Sequence, residues 1–528
     1  MLREQIRKDV LEAVRQLGYW DVGKIAPKNL TTQKPNNLIE VTRTQDPKFG
    51  DYATNVALKI RSSVFSSRLS DTGQSAKRLT GKQKTGKLQS ENRKPKTGNK
   101  QSATEIANIL ADSLKGLPNI LADSLKGLPY IKKLEVAGPG FLNFWIKDEV
   151  WQQQVEEVLK TNEKFGSSES GKGKNARIEF VSANPTGPLH FGNARGGPIG
   201  DALASVLEFC GYKVVREYYH NDIGEQVRKL GESIVNVTAG LKLEDQEYKG
   251  EYVRELGVKA VNELSKGLKF SSSDASRLGE LAVETLLSEI LADCKAMGIS
   301  FNQIYKESEF INSGQTKQGL DHLREKGFLK EKDGAIWFAA NDEFLKDRET
   351  VVKKSDGNFT YFANDIAYHD LKFKDNPDLV IDIFGANHHG HVPRLQAVIS
   401  ALGYDVSKFR VILYQWVRFK KKGEMLAMSK RSGTFVTARE VLDEVGSDAL
   451  RFFILMYDPN SHIDFDMDLA REKSTKNPVY YVQYAHARIC SILAKTNDKR
   501  LTTNAKYDEL TTTYELDLIK QISRLPEM

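Results

Sequence analysis

Residues Ala176–Val215 read ARIEFVSANPTGPLHFGNARGGPIGDALASVLEFCGYKVV, and this stretch decides the fold. Arg177–Val181 alternates and carries Ile178, Phe180 and Val181, which predicts a strand. Ser182–Pro188 is a cluster of Ser, Asn, Pro, Thr and Gly, which predicts a loop. From about Asn193 the apolar residues Ile199, Ala202, Leu203, Val206, Leu207 and Cys210 recur at helical spacing. Gly211 ends the helix, and Lys213–Tyr219 is a second β-rich run. Strand, loop, helix and strand in this order form the building block of a parallel sheet. Such sheets bind nucleotides at the carboxyl ends of their strands, with phosphate near a helix N-terminus. Gly187, Gly192, Gly196 and Gly197 would let a ligand approach the backbone. His190 and Asn193 stand three apart where the helix begins, so both can face one phosphate chain. A tight turn with a capping Asn would explain the glycines equally well.

Working outward, 528 residues with 40% apolar content predict two to four domains with real cores. Cys210, Cys294 and Cys490 lie far apart and show neither a disulfide framework nor paired metal spacing, which points to a reducing compartment. The first residues, MLREQIRKDVLEAVRQLGYW, form a charged amphipathic helix rather than a signal peptide. No stretch is long and apolar enough to span a membrane. The net charge of +7 is concentrated in one place. Ser62–Thr104 has ten Lys/Arg and two Asp/Glu, and the rest of the chain is left at −1. Rich in Ser, Thr, Gly, Lys and Gln, that segment reads as a disordered insertion, with a basic RNA-touching arm as the alternative. Asn108–Pro118 and Asn119–Pro129 are identical copies of NILADSLKGLP, a local duplication rather than a solenoid.

The chain 3′ to the decisive stretch repeats its logic. Residues 230–350 read as a mostly helical insertion. Leu379–Phe384 is a buried strand, followed by Gly385-Ala386-Asn387-His388-His389-Gly390-His391 and a helix through Leu402. Phe409–Phe419 reads as one further strand. The loop Ala427-Met428-Ser429-Lys430-Arg431-Ser432-Gly433 can place the Lys430 cation on a pyrophosphate leaving group; a solvated basic loop is the plainer reading. Tyr361 and Asp365 are four apart, on one helix face, where a carboxylate can take a guanidinium in a bidentate fork. His388, His389 and His391 invite a zinc reading, but no Cys or acidic partner sits at ligand spacing.

Taken together, these motifs resemble the class I aminoacyl-tRNA synthetases. His190-Phe191-Gly192-Asn193 resembles their first signature, His-hydrophobic-Gly-His, with Asn at the fourth position. Met428, Ser429 and Lys430 match three positions of the second, Lys-Met-Ser-Lys-Ser. Lys48–Ala57 and Gly138–Phe144 resemble the extra N-terminal domain of arginyl-tRNA synthetases. Gly357–Leu371 resembles their arginine-recognition helix, and Asn477–Arg488 the opening of their anticodon-binding domain. The resemblance implies an α/β architecture: a Rossmann-like parallel-sheet catalytic domain with a helical insertion, an α+β N-terminal domain and an α-helical anticodon-binding domain. Its expected bounds are 1–150, a linker over 151–174, 175–440 for the catalytic body and 441–528 for the last domain.

The same resemblance implies the chemistry. ATP is expected on Pro188, Leu189, His190, Gly192, Asn193, Asn387, His388, Met428, Ser429 and Lys430, with His190, Asn193 and Lys430 acting on the reacting phosphates and Mg²⁺ arriving with the nucleotide. Arginine is expected on Glu179, Ser182, Asn184, Tyr361 and Asp365. Tyr480, Tyr484 and Arg488 are expected at tRNA, where the tyrosines could stack on unpaired bases or, as a helical stripe, simply form core. The implied reaction is the ligation of L-arginine to the terminal adenosine of tRNA(Arg) through arginyl-adenylate, in the cytoplasm, by a monomer needing no membrane. A synthetase of another specificity and an inactive RNA-binding relative are the rival readings. Asn477–Met528 holds only two or three helices, so a shortened bundle with an exposed stripe through Leu518, Ile519, Ile522 and Leu525 is expected.

Overall fold

The computed structural model describes residues 2–17, 39–60, 116–138, 140–262, 270–340, 342–346, 348–425, 436–496 and 507–528. The Ser62–Thr104 insertion, most of the first NILADSLKGLP copy and the loop over 426–435 lie outside the described residues. The chain forms two compact units, Met1–Gly166 with Lys499–Met528, and Ser167–Asp498.

In the first unit, β1 (Val41–Arg43), β2 (Tyr52–Thr54), β3 (Ile131–Ala137) and β4 (Phe141–Ile146) make an antiparallel sheet in the order β1-β2-β4-β3. Leu134, Leu142, Phe144 and Ile146 are buried beneath the helix Leu2–Gln16, which contributes Ile6, Val10 and Val14. The second NILADSLKGLP copy supplies most of the helix Leu117–Leu125, with Leu121 and Leu125 in the same core. Residues 151–174 do not form one linker. Asp148–Thr161 is a helix of this unit, with Trp151 buried and stacked on Tyr52 at 6.3 Å. Ser168 and Gly171 instead donate to the carbonyls of Phe209 and Cys210 in the second unit.

The expected 441–528 domain also divides, since its last 30 residues, 499–528, belong to the first unit. On the helix Thr513–Ile522, Ile519 enters the N-terminal core and Leu516 packs against it, whereas Leu518, Ile522 and Leu525 are exposed. The segment is fixed by polar contacts too. Arg43 Nε and Tyr52 Oη donate to the Glu527 carboxylate at 2.6 and 2.7 Å. Gln152 donates to the carbonyls of Asp508 and Leu510. Partners more than 350 residues apart carry this packing, and the local apolar stripe does not reveal them.

The second unit is built on five parallel strands. These are β5 (Asn175–Glu179), β6 (Lys213–His220), β7 (Gln303–Lys306), β11 (Leu379–Gly385) and β12 (Phe409–Tyr414), in the order β12-β11-β5-β6-β7. The direction of travel along the sheet reverses between β5 and β11. The carboxyl edge at such a switch point opens a crevice for ligands. Residues 230–350 are not only helical, because β7 lies inside them and completes the main sheet. They also hold a small antiparallel sheet of β8 (Leu329–Lys332), β9 (Ala335–Phe338) and β10 (Thr350–Lys353). Asp333 and Gly334, at φ 53° and 72°, form the two-residue turn of its first hairpin, and Asp-Gly is the sequence signal for such a turn.

Phe409–Phe419 is two strands rather than one. After β12 the chain leaves the sheet at Gln415, whose N–H donates to Pro459 O at 2.9 Å. It resumes as β13 (Val417–Lys421) in a second small sheet with β14 (Glu424–Met425) and β15 (Ile463–Asp466). Among the described residues no helix is long and apolar enough to cross a membrane.

Candidate active site

The turn after β5 is tight. Val181 and Ser182 have φ of 67° and 38°, in the left-handed region, and Ser182 N–H donates to Phe180 O at 3.0 Å. A β-branched residue is rare there and persists only where its surroundings hold it. Here Val181 is buried, Tyr219 N–H donates to Ser182 Oγ at 3.1 Å, and Tyr218 Oη donates to Ala183 O at 2.7 Å. Ser182 is thereby fixed between β5 and β6. Asn184, exposed, donates to Gln226 Oε1 at 3.2 Å.

The chain then reaches the helix Phe191–Ala194, whose N-cap is His190. Its Nδ1 accepts Gly192 N–H at 2.8 Å, satisfying one of the orphan donors of that helix end. A Cβ on Gly192 would lie 2.8 Å from the same Nδ1, so the close ring-to-backbone approach requires glycine. Gly196 and Gly197 serve a different purpose from the expected one. Both are buried, and a Cβ there would meet Tyr414 and Ile299 at 2.9 and 2.8 Å. They let the helix Gly196–Phe209 pack on the sheet and are closed to a ligand. Arg195, fully buried, donates to the carbonyls of Gln415, Ser461 and Asp458 and locks this helix end to the loops beside it.

Leu189 is buried and reaches its surroundings through its carbonyl, which accepts Ala438 N–H at 2.8 Å. Phe191 N–H donates to Val436 O at 3.0 Å, and His190 pairs with Thr437 in a β-bridge. The chain that follows 426–435 is therefore stitched to the first signature. Met428, Ser429 and Lys430 themselves lie outside the described residues. Pro188 and Asn193 are half-buried, and Asn193 O accepts from Tyr414 Oη at 3.3 Å.

From the other side of the switch point, β11 delivers Asn387 and His388, both exposed, in the turn Ala386–His388. His391 Nε2 lies 3.1 Å from Asp365 Oδ2. Burial opposes the charge on His391, but the hydrogen bond and charge of Asp365 outweigh it and raise the imidazole. Among the described residues no group of three or more His, Cys, Asp or Glu is placed to hold a metal.

The helix Tyr361–Lys374 connects two groups of carboxylates. In the first, Lys372 Nζ, fully buried, donates to Glu179 Oε2 at 2.5 Å and to Asp382 Oδ1 at 2.6 Å, across the seam between β5 and β11. His369 adds a contact to Asp382 Oδ2 at 3.0 Å. Burial pushes Asp382 up, yet Lys372 and His369 outweigh it and hold the carboxyl at about 2. Glu179, expected at arginine, is thus buried with its charge met from within the protein.

The second group was not visible in the sequence. Glu307, 3% exposed, receives N–H donors from Asn221 and Asn364 on its two oxygens, each at 2.5 Å. Burial pushes it up to about 7, and the neighbouring Asp365 and Asp222 add to the rise. Among the described residues no Lys or Arg pairs with Glu307, Asp222 or Asp365; His391 is the sole basic contact, on Asp365. Tyr361 stands beside them, 47% exposed. Carboxylates gathered without a resident cation form a site for a cation from outside.

On the helix Pro478–Thr496, Tyr480 is half-buried and stacks on Tyr484 with ring centroids 6.4 Å apart, while Tyr484 and Arg488 are exposed. Val479, not the tyrosines, inserts into the core.

Comparison with known proteins assigns this geometry. The model of the class I tRNA synthetase (R) catalytic domain matches residues 154–460. The arginyl tRNA synthetase N-terminal domain matches 63–146, and the DALR anticodon binding domain 482–528. The chain belongs to the arginyl-tRNA synthetase family. An arginine–tRNA ligase of Citrifermentans bemidjiense is 37% identical, with all of this chain and 87% of that protein covered. Its counterpart in Oceanobacillus iheyensis is 40% identical, over 94% of this chain and 82% of the relative. The Thermus thermophilus arginyl-tRNA synthetase structure shares the fold with a TM-score of 0.68 at 19% identity, over 99% of this chain and 86% of that one. Family membership makes the chain a class I enzyme that ligates arginine to tRNA(Arg) with ATP.

Proposed function

We propose that the carboxyl edge of β5 and β11 binds ATP while the carboxylates around Glu307 and Asp365 hold the arginine guanidinium. The observation that carries this reading is the acidic cage: buried or half-buried carboxylates with no Lys or Arg partner among the described residues, beside a helix start capped by a histidine. Arginine, a permanent cation with five planar donors, supplies the missing charge. Ser182 and Asn184 would take the α-amino and carboxylate groups, and Glu179 would border the pocket from the β5 side.

A carboxylate oxygen of arginine then attacks the α-phosphorus of ATP. The bond to the β,γ-bridge oxygen breaks, and pyrophosphate leaves with the electron pair. His190 and Asn193 would stabilise charge on the phosphates at the helix start, and Lys430 would meet the leaving group. The 2′-hydroxyl of the terminal tRNA adenosine attacks the carbonyl of the adenylate, and AMP departs. Tyr480, Tyr484 and Arg488 would contact tRNA. Mg²⁺ would come bound to the nucleotide: the described residues offer no preformed cage for it, and no step is routed through it here. All three cysteines are free thiols, as in the cytoplasm, where thiols stay reduced.

Pyrophosphate exchange with each of the twenty amino acids, with tRNA present, tests this reading. Arginine alone should support exchange, and His190→Ala should slow it by about 10²–10³-fold with little change in ATP affinity. Exchange driven equally well by another amino acid would refute the assignment.

A further inference from the structure

Tyr219, on β6, carries a hydroxyl that the fold leaves unused. The residue is 8% exposed, and its Oη is buried with no hydrogen-bond partner among the described residues. A buried hydroxyl without a partner costs free energy and calls for a reason. Its ring is held on both sides. It stacks on Tyr368 with centroids 4.8 Å apart and planes at 19°, and Phe310 lies 6.1 Å away. Tyr368 sits one turn beyond Asp365 on the same helix, and Phe310 one turn beyond Glu307 on the helix Glu307–Asn312. The ring is therefore wedged between the two elements that carry the acidic cage. Its backbone N–H donates to Ser182 Oγ, which ties the same residue to the other end of the amino-acid pocket. Asp365, Glu307, Glu179 and Asp222 all act electrostatically on its phenol.

We propose that Tyr219 is a specificity-determining residue of the amino-acid pocket, its hydroxyl bonding the guanidinium of arginine. The oxygen accepts one guanidinium N–H, and the phenolic proton is donated to one of the surrounding carboxylates. The orphan hydroxyl thus gains both partners only when arginine is bound, so its desolvation is compensated by the correct substrate alone. The inference rests on the acidic cage being the guanidinium site.

The test is Tyr219→Phe, which removes one oxygen and keeps the stacking. The KM for arginine in tRNA-dependent pyrophosphate exchange should rise about tenfold, as expected for losing one hydrogen bond to a charged group. The KM for ATP should stay within about twofold, and the melting temperature should hold or rise, because an unsatisfied buried hydroxyl has been deleted. An unchanged KM for arginine would overturn the proposal. So would a rise matched in ATP and accompanied by a lower melting temperature, which would mark a packing role. Asp365→Asn, measured in parallel, separates the two levels. If it leaves the arginine KM unchanged, the cage reading itself fails. If it raises the KM and Tyr219→Phe does not, only the role of Tyr219 fails.

Discussion

Two groups of carboxylates stand near the carboxyl end of one sheet, and their charge is met differently. Glu179 and Asp382 share the ammonium of Lys372, itself completely buried, with His369 on the far oxygen. Glu307, Asp222 and Asp365 have amide, hydroxyl and backbone N–H donors and one histidine, but no Lys or Arg among the described residues. The first group is complete without a ligand and stitches β5 to β11. The second is complete only when a cation arrives. In the first, Asp382 is held at about 2; in the second, Glu307 is lifted to about 7. The difference shows that how a buried charge is compensated, more than its burial, separates structural carboxylates from binding ones.

The comparison breaks most visibly at Lys372. Lys372→Met leaves two buried carboxylates without their cation, and loss of one partner from a buried pair typically costs about 3–5 kcal/mol. Urea unfolding should show a loss of that size. If the midpoint does not move, the paired cluster is not a structural brace. Asp365→Asn should behave in the opposite way, with stability lowered by about 1 kcal/mol or less. Its arginine KM should rise about 10–100-fold, the value of a charge-assisted bond, with the ATP KM unchanged.

A subtler separation comes from pH. A carboxyl raised to about 7 is mostly protonated at pH 6 and mostly ionised at pH 8. Only the ionised form attracts a guanidinium, so the arginine KM should fall as pH rises, by about tenfold across that span. Glu307→Gln should flatten the profile. A KM that rises with pH would contradict the assignment.

Sequence and structure agree best where the signal is local. Ile178 and Phe180, the loop from Ser182 and the helical spacing of Leu203 and Leu207 made the first strand–helix–strand unit legible, and Leu379–Phe384 the second half. Asp333-Gly334 was an equally local hairpin signal that the helical pattern of residues 230–350 overrode. The site was legible at His190, Tyr361 and Asp365 because their spacing is short. Glu307 was not. Its meaning comes from Asn221 and Asn364, which are 86 and 57 residues away, and a lone Glu beside Lys306 and Ser308 reads as a surface residue. Gly196 and Gly197 had the right type for a phosphate site, but their missing side chains make room for Tyr414 and Ile299. The placement of Ile519 in the N-terminal core likewise depends on pairing between the two ends of the chain.

The central claim is that the unpaired carboxylates form the guanidinium site, and calorimetric titration with L-arginine and L-citrulline tests it most directly. Citrulline keeps the shape and the α-substituents but replaces the guanidinium by a neutral urea. The account predicts that arginine binds at least about 100-fold more tightly, since two or more charge-assisted bonds are lost with the charge, and that Asp365→Asn narrows the gap. Equal affinities for the two ligands would contradict it.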